Sequence, residues 1–271
     1  MPNRDQCLLC SFENPKLAVT AICIREGNLL VARRNEEPYK DEWDFIGGYV
    51  QKDETPEEAL KREMFEELNI HAVVTPIGAF SGTATYQDHR FPVLNLGYLV
   101  AFEGDIQLNE ENSEISWVPI NELSTIAFDS NQKILAHVKE KFSFDVGAVR
   151  TLVHQLDLSA RVDEQSLYKA LLNGHLCTIK DADNLVGMGW IFPRQTLLRK
   201  QAVIEDMIVD ESQRGKGIGE KILRDLIDWA KHNQIEVIEL TTNPKRTAAN
   251  TLYKKCGFVL HETNHYLLDL R

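Results

Sequence analysis

The chain reads as two α+β or α/β domains in series, each built on a mixed sheet, and three observations carry that reading. Its 271 residues exceed the roughly 100–150 typical of a single domain. Strand-type and helix-type runs alternate in both halves. The charge also changes along the chain: residues 1–145 carry 13 basic and 25 acidic side chains, whereas residues 146–271 carry 17 and 16. Such asymmetry points to halves with different tasks. A composition of 43% hydrophobic and 26% charged residues excludes disordered, collagen-like and low-complexity classes. The net charge of −11 argues against nucleic acid as the main partner. No apolar run approaches the roughly 18 residues of a membrane helix. The start, MPNRDQCLLC, lacks the basic-then-apolar pattern of an export signal, so a cytoplasmic protein without membrane contact is expected.

The elements follow in order. Leu17–Arg25 and Leu29–Arg33 are β-rich runs around Gly27-Asn28, a hairpin signal. A charged, aromatic loop from Asn35 to Trp43 leads to the pair Gly47-Gly48. Thr55 then serves as N-cap, Pro56 suits the first helical position and Glu58 completes a capping box. Leu60, Met64 and Leu68 form one apolar stripe, and Asn69 suits a left-handed helix end, so a helix is predicted over 56–68. Strands are predicted at 72–80, 93–102 and 115–118, and a helix at 131–141. The chain breaks around Phe142–Asp145, and the linker is set at 143–146. In the second half, strands are predicted at 176–180 and 185–192 around a turn, then at 202–209 and 237–241. Helices are expected over 218–232 and 247–255, and strands at Phe258–Leu260 and Tyr266–Leu270 close the chain. Five cysteines without an export signal read as reduced thiols. Cys7 and Cys10 form a C-x-x-C in an N-terminal segment, 1–14, but no second pair follows to complete a zinc set. A zinc shared across a homodimer is the alternative to free thiols there.

Glu63, Glu66 and Glu67 stand at i, i+3 and i+4, so their carboxylates share one helical face. Like charges at that spacing invite a cation, and Mg²⁺ (or Mn²⁺) prefers oxygen ligands. Arg62 lies beside this face and could hold the glutamates, with Glu54 holding Arg62 in turn. Gly48, Glu54, Arg62, Glu63, Met64, Glu66, Glu67 and Ile70 resemble the Nudix box, G-x5-E-x7-R-E-U-x-E-E-x-G-U, where U is a bulky aliphatic. Only Asn69 departs, where that family has Gly. Trp43-Asp44-Phe45-Ile46-Gly47-Gly48 resembles the family's lead-in, with Ile46 in place of Pro, and Ser116-Trp117-Val118-Pro119 its closing strand. The resemblance implies a Nudix α/β/α sandwich over 15–142 and hydrolysis of a nucleoside diphosphate linked to another moiety. It implies metal on Glu63, Glu66 and Glu67, with the Gly48 carbonyl as a further ligand, and a base from the box or a loop. Tyr86 sits near where diadenosine polyphosphate hydrolases of the family carry a Tyr. The downstream signatures for ADP-ribose and NADH and the CoA-hydrolase signature before the box are absent, so the nucleotide substrate is left unnamed.

Gln213-Arg214-Gly215-Lys216-Gly217-Ile218-Gly219 lies between a strand and an amphipathic helix. Glycines let the backbone approach a ligand, and a helix N-terminus offers unpaired N–H groups to an anion. The spacing fits neither a Rossmann turn nor a P-loop. It resembles the R/Q-x-x-G-x-G/A motif of the GNAT acetyltransferases, which cradles the pyrophosphate of acetyl-CoA. Glu205–Asp210 resembles that family's central strand, and Ala248–Phe258 its second hallmark, Y-x-x-x-G-F. The resemblance implies a GNAT mixed-sheet fold over 147–271, with 213–219 and Asn250 as cofactor-binding residues. It implies Tyr253 as the acid for the leaving thiolate, and a carboxylate base among Glu205, Asp206 and Glu239. Strand alternation separates Glu205 from Asp206, and Glu205 is preferred. Lys245 and Arg246 are candidates for CoA phosphates. The expectation is a bifunctional enzyme acting on a nucleotide and on an unidentified amine acceptor. The alternative is a single-activity enzyme in which one domain is a ligand sensor for the other.

Overall fold

The computed structural model describes residues 14–86, 89–107, 112–182, 184–268 and 270. Cys7 and Cys10, and the side chain of Tyr86, lie outside them. Two compact units emerge. The first takes the chain up to Gly147 together with Val162–Leu172; the second takes Ala148–Arg161 and everything from Asn173 onward.

The first unit has seven strands: β1 (Lys16–Arg25), β2 (Asn28–Arg34), β3 (Trp43–Asp44), β4 (Gly47–Tyr49), β5 (Ala72–Tyr86), β6 (His89–Phe102) and β7 (Asn112–Pro119). β1 runs parallel to β6 and antiparallel to β4, while β2 pairs with β7 and β3. The sheet is therefore mixed. Alternation sends Val19, Ala21 and Cys23 into a core with Ala59, Leu60, Met64 and Leu68 of α1 (Pro56–Leu68). Thr20 faces the opposite way and hydrogen-bonds Asn131 of α2 (Asp129–Phe142). One helix thus covers each face, the α/β/α sandwich. After α3 (Val146–Leu156), α4 (Glu164–Leu172) belongs with the first unit. The fully buried Tyr168 packs edge-on to Phe142 at 5.3 Å, and Gln165 Nε2 donates to the Ile24 carbonyl at 3.1 Å.

The second unit holds a four-stranded sheet of order β11-β10-β9-β8: β8 (His175–Asp181), β9 (Asn184–Gln195), β10 (Lys200–Val209) and β11 (Val237–Leu240). Among the described residues of this sheet, only the β10–β11 pair is parallel. α5 (Ile218–His232) lies so close to β9 that a Cβ at Gly187 or Gly189 would press on Ile218 or Ile222. α6 (Thr247–Lys255) follows β11.

Four differences from the sequence expectation have physical causes. The strand predicted over 72–80 runs on to Tyr86 because it pairs with β6 as one long hairpin. Helices α3 and α4 were not anticipated; α3, VGAVRTLVHQL, is rich in residues of poor helix propensity. Among the described residues, Phe258–Leu260, Tyr266–Leu268 and Leu270 form no strand, because the β pattern finds no ladder partner. Val259, Leu260, Tyr266, Leu267, Leu268 and Leu270 are 80–87% exposed. The fourth lies in β10, where a bulge interrupts alternation.

Candidate functional site

The acidic helix of the first unit is held at both ends by its own sequence. Thr55 Oγ1 accepts the Glu58 N–H at 3.3 Å, and Glu58 Oε2 accepts the Thr55 N–H at 2.8 Å. Asn69 ends the helix at φ 58° and ψ 40°, a left-handed conformation that Asn tolerates and most residues do not. Arg62 is the hub of the carboxylates. Its guanidinium donates to Glu54 at 2.8 and 3.1 Å, to Glu63 at 2.8 Å, to Glu66 at 3.0 Å and to the Tyr49 carbonyl at 3.2 Å. These bonds hold Glu54 below the usual carboxylate range and keep Arg62 charged.

The three glutamates of the face differ in setting. Glu66 points outward, its side chain 54% exposed, against 14% for Glu63. Glu63 lies against Gly48, where a Cβ would collide with its carboxylate. Glu67 is only 6% exposed. Its Oε1 accepts the Gly47 N–H at 3.3 Å and its Oε2 accepts the Asn112 amide at 2.6 Å. Among the described residues, no three His, Cys, Asp or Glu side chains converge so as to hold a metal ion by themselves. A hard cation that keeps waters and substrate oxygens in its shell does not require one. The oxygen-only donors and the glycine that admits Glu63 fit such an ion.

Sequence reasoning missed a polar network near this loop. Asp44 is buried; Asn131 Nδ2 donates to it at 2.6 Å, the Phe45 N–H at 2.9 Å and Arg34 at 3.2 Å. Burial pushes its carboxyl up to about 7, with Arg34 opposing. Thr20, Asn95, Ser130 and Asn131 extend the network. Thr20 and Asn95 each sit in an otherwise apolar strand core, which was the available signal. Arg34 also lies 4.9 Å from the ring of Phe128, and Tyr39 meets that ring edge-on.

In the second unit, β10 leads through Asp210 and a 3₁₀ turn, Glu211–Gln213, into the glycine loop and α5. Gln155 of α3 braces the turn, donating to Asp210 at 2.9 Å and accepting the Glu211 N–H at 3.2 Å. Gly215 and Gly217 have φ of 81° and 78°, and a Cβ on either would meet nothing within 4 Å. Left-handed backbone, not crowding, is thus the reason for glycine there. Gly217 caps α5 without any side-chain bond, so the first N–H groups of the helix have no side-chain cap. Gly219 instead faces Leu252 of α6. Arg214 pairs with Glu211 at 3.1 Å, and Lys216 donates to Gln213 at 2.6 Å.

Glu205 pairs with Trp190 across the sheet, and the next paired residue, Ile208, faces Met188. The intervening bulge, with Asp206 at φ 48°, cancels the alternation used to separate Glu205 from Asp206. Burial raises both carboxyls; the neighbouring Asp206 raises Glu205 further and His265 opposes. Glu239 is paired with Arg194 at 2.7 Å. Tyr253, on α6, is partly buried, which raises its phenol and keeps it protonated. Asn250 spends its amide on the carbonyls of Asn243 and Arg246, at 3.3 and 3.0 Å.

A carboxylate-bearing helix behind a glycine turn in one unit, and a glycine loop opening a helix in the other, define a two-domain enzyme. Residues 14–141 match the NUDIX domain family and residues 149–258 the acetyltransferase (GNAT) family. The chain is similar to the ADP-ribose pyrophosphatase of Methanocaldococcus jannaschii, with 28% identity over 48% of this chain and 77% of that protein. It is similar to the nucleoside triphosphatase NudI of Escherichia coli, with 32% identity over 34% of this chain and 71% of that protein. Its similarity to the uncharacterized N-acetyltransferase YobR of Bacillus subtilis is 31% over 32% of this chain and 33% of that protein. The chain belongs to the Nudix family through its N-terminal domain and carries a GNAT acetyltransferase domain after it. No helix among the described residues is long and apolar enough to cross a membrane.

Proposed function

We propose that the protein is a bifunctional enzyme. Its domain over 15–142 hydrolyses a nucleoside diphosphate-linked substrate with Mg²⁺ or Mn²⁺, and its domain over 147–271 transfers acetyl from acetyl-CoA to an amine. Glu67 carries the first half of this reading: a buried carboxylate, held by N–H donors, beside Glu63 and Glu66. Glu63, Glu66 and Glu67, with the Gly48 carbonyl, would hold the cation, which supplies charge stabilisation for phosphoryl oxygens and a more acidic water. Arg62 orients Glu63 and Glu66 from the side.

In the transferase, the 213–219 loop receives the CoA pyrophosphate at the start of α5 through N–H groups beyond Arg214, since those of Gln213 and Arg214 bond the Asp210 and Glu211 carbonyls. Glu205, whose raised pKa suits a base, takes the proton of the attacking amine, and the Tyr253 hydroxyl gives one to the departing thiolate. Relatives named for ADP-ribose and for nucleoside triphosphates support a nucleotide as the first substrate.

A paired screen tests the whole. Phosphate-containing products are followed from a nucleotide panel with Mg²⁺, and free thiol from acetyl-CoA with an amine panel. Turnover in both arms is expected. Acetyl-CoA binding with every amine refused would favour a sensor role for the second domain.

A further inference from the structure

We infer that Asn112 is a positioning residue for Glu67; this rests on the reading that Glu67 holds the cation. Residues 112–114 open β7, where the register against β2 slips. Arg33 faces Glu114, but the neighbouring Arg34 faces Asn112, so two residues of β2 oppose three of β7. The extra residue breaks the alternation that would otherwise aim Asn112 and Glu114 to the same side. Glu114 accordingly pairs with Arg33 at 2.8 Å on the exposed side, whereas the Asn112 amide reaches Glu67 at 2.6 Å.

The chemistry of the donor matters as much as its place. Arg62 holds Glu63 and Glu66 with a cation, which an incoming metal must displace or share. An amide N–H is neutral: it fixes the Glu67 rotamer and leaves the carboxylate's charge available. With the Gly47 N–H on the other oxygen, the carboxylate plane is set from two sides. Partners of this kind, one shell out from a metal, are typically worth about 10–100-fold in metal affinity.

The test is Mn²⁺ binding to the full chain, read from loss of the free Mn²⁺ electron paramagnetic resonance signal. Asn112→Ala should weaken Mn²⁺ binding by about 10–100-fold, with acetyl-CoA binding unchanged. Asn112→Gln, which keeps the amide one methylene further out, should recover part of the loss and serves if the Ala variant fails to fold. Because Asn112 acts through Glu67, the double variant Asn112→Ala/Glu67→Gln should bind no worse than Glu67→Gln alone. Wild-type Mn²⁺ affinity in Asn112→Ala or additive losses in the double variant would overturn the inference while Glu67→Gln still weakens binding. Undiminished binding in Glu67→Gln would instead overturn the reading beneath it.

Discussion

The chemistry proposed for the first domain rests on side chains that hold one another, and that proposed for the second rests largely on backbone. Around α1, Glu54, Glu63 and Glu66 share Arg62, while Glu67 is gripped by Gly47 and Asn112. At the start of α5, Gly215 and Gly217 stand in left-handed backbone with open space around them, and the helix has no side-chain cap. The difference predicts opposite sensitivities. The hydrolase site should fail when a side-chain atom changes and the fold stays. The transferase loop should fail when a Cβ is added, even though nothing lies in its way.

The largest effect expected is that of Glu67→Gln. It removes the charge of a proposed ligand outright, so diphosphate cleavage with Mg²⁺ should fall by more than the roughly 10–100-fold that loss of an outer partner costs. Acetyl-CoA binding, measured by calorimetry on the same protein, should be unchanged. Undiminished turnover would remove the contrast between the two domains at its root.

Tyr253→Phe comes next, because the chemistry proposed for the second domain depends there, as at Glu205, on a side-chain atom. The ring still packs near Phe258, so affinity for acetyl-CoA should hold while kcat falls by about 10²–10⁴-fold, the range of general acid catalysis. Loss of affinity with kcat preserved would make the hydroxyl a cofactor contact instead. The measurement uses whichever amine the screen yields.

For the loop, Gly217→Ala isolates backbone from charge. Holding an L-residue in the left-handed region costs about 1–2 kcal/mol, which corresponds to roughly 5–30-fold in acetyl-CoA affinity if the cradle needs that conformation. Gly217→Glu adds a negative charge where the proposed pyrophosphate would sit and should weaken binding further. Equal affinity for all three proteins would mean that the loop does not hold CoA.

What was legible in the sequence was what is local. Thr55, Glu58, the Leu60–Met64–Leu68 stripe and Asn69 define α1 within one stretch of chain, and the glycine loop with α5 is equally contiguous. What escaped depends on pairing between distant segments. Asn112 meets Glu67 across 45 positions and Asp44 meets Asn131 across 87. In the first case a bulge decides the direction, and no residue pattern announces a bulge. The reverse failure occurs toward the C-terminus, where Phe258–Leu260 and Tyr266–Leu268 have strand composition but, among the described residues, no ladder. A strand's pattern says which face is apolar, whereas its existence requires a partner edge.

The smallest effect sharpens the comparison at the one box position that departs from the family, Asn69. The Asn69 N–H bonds the Phe65 carbonyl at 2.9 Å and the Ile70 N–H bonds the Met64 carbonyl at 3.2 Å, which is a left-handed helix end. Asn69→Gly removes the residual Cβ penalty but adds unfolded-state entropy and deletes the bond from Asn69 Nδ2 to Gln107. These terms oppose one another, so stability in denaturant should change by less than about 1 kcal/mol, with hydrolysis unaltered. Asn69→Val has no such compensation. A β-branched residue at φ 58° should cost at least about 1–2 kcal/mol, and the loss should appear as a lower midpoint for the first domain's transition. If Val is tolerated as well as Gly, the position does not serve the backbone, and the parallel with Gly217 fails. If Gly and Asn are equivalent and Val is not, both domains rely on left-handed residues, one to end a helix and the other to begin one.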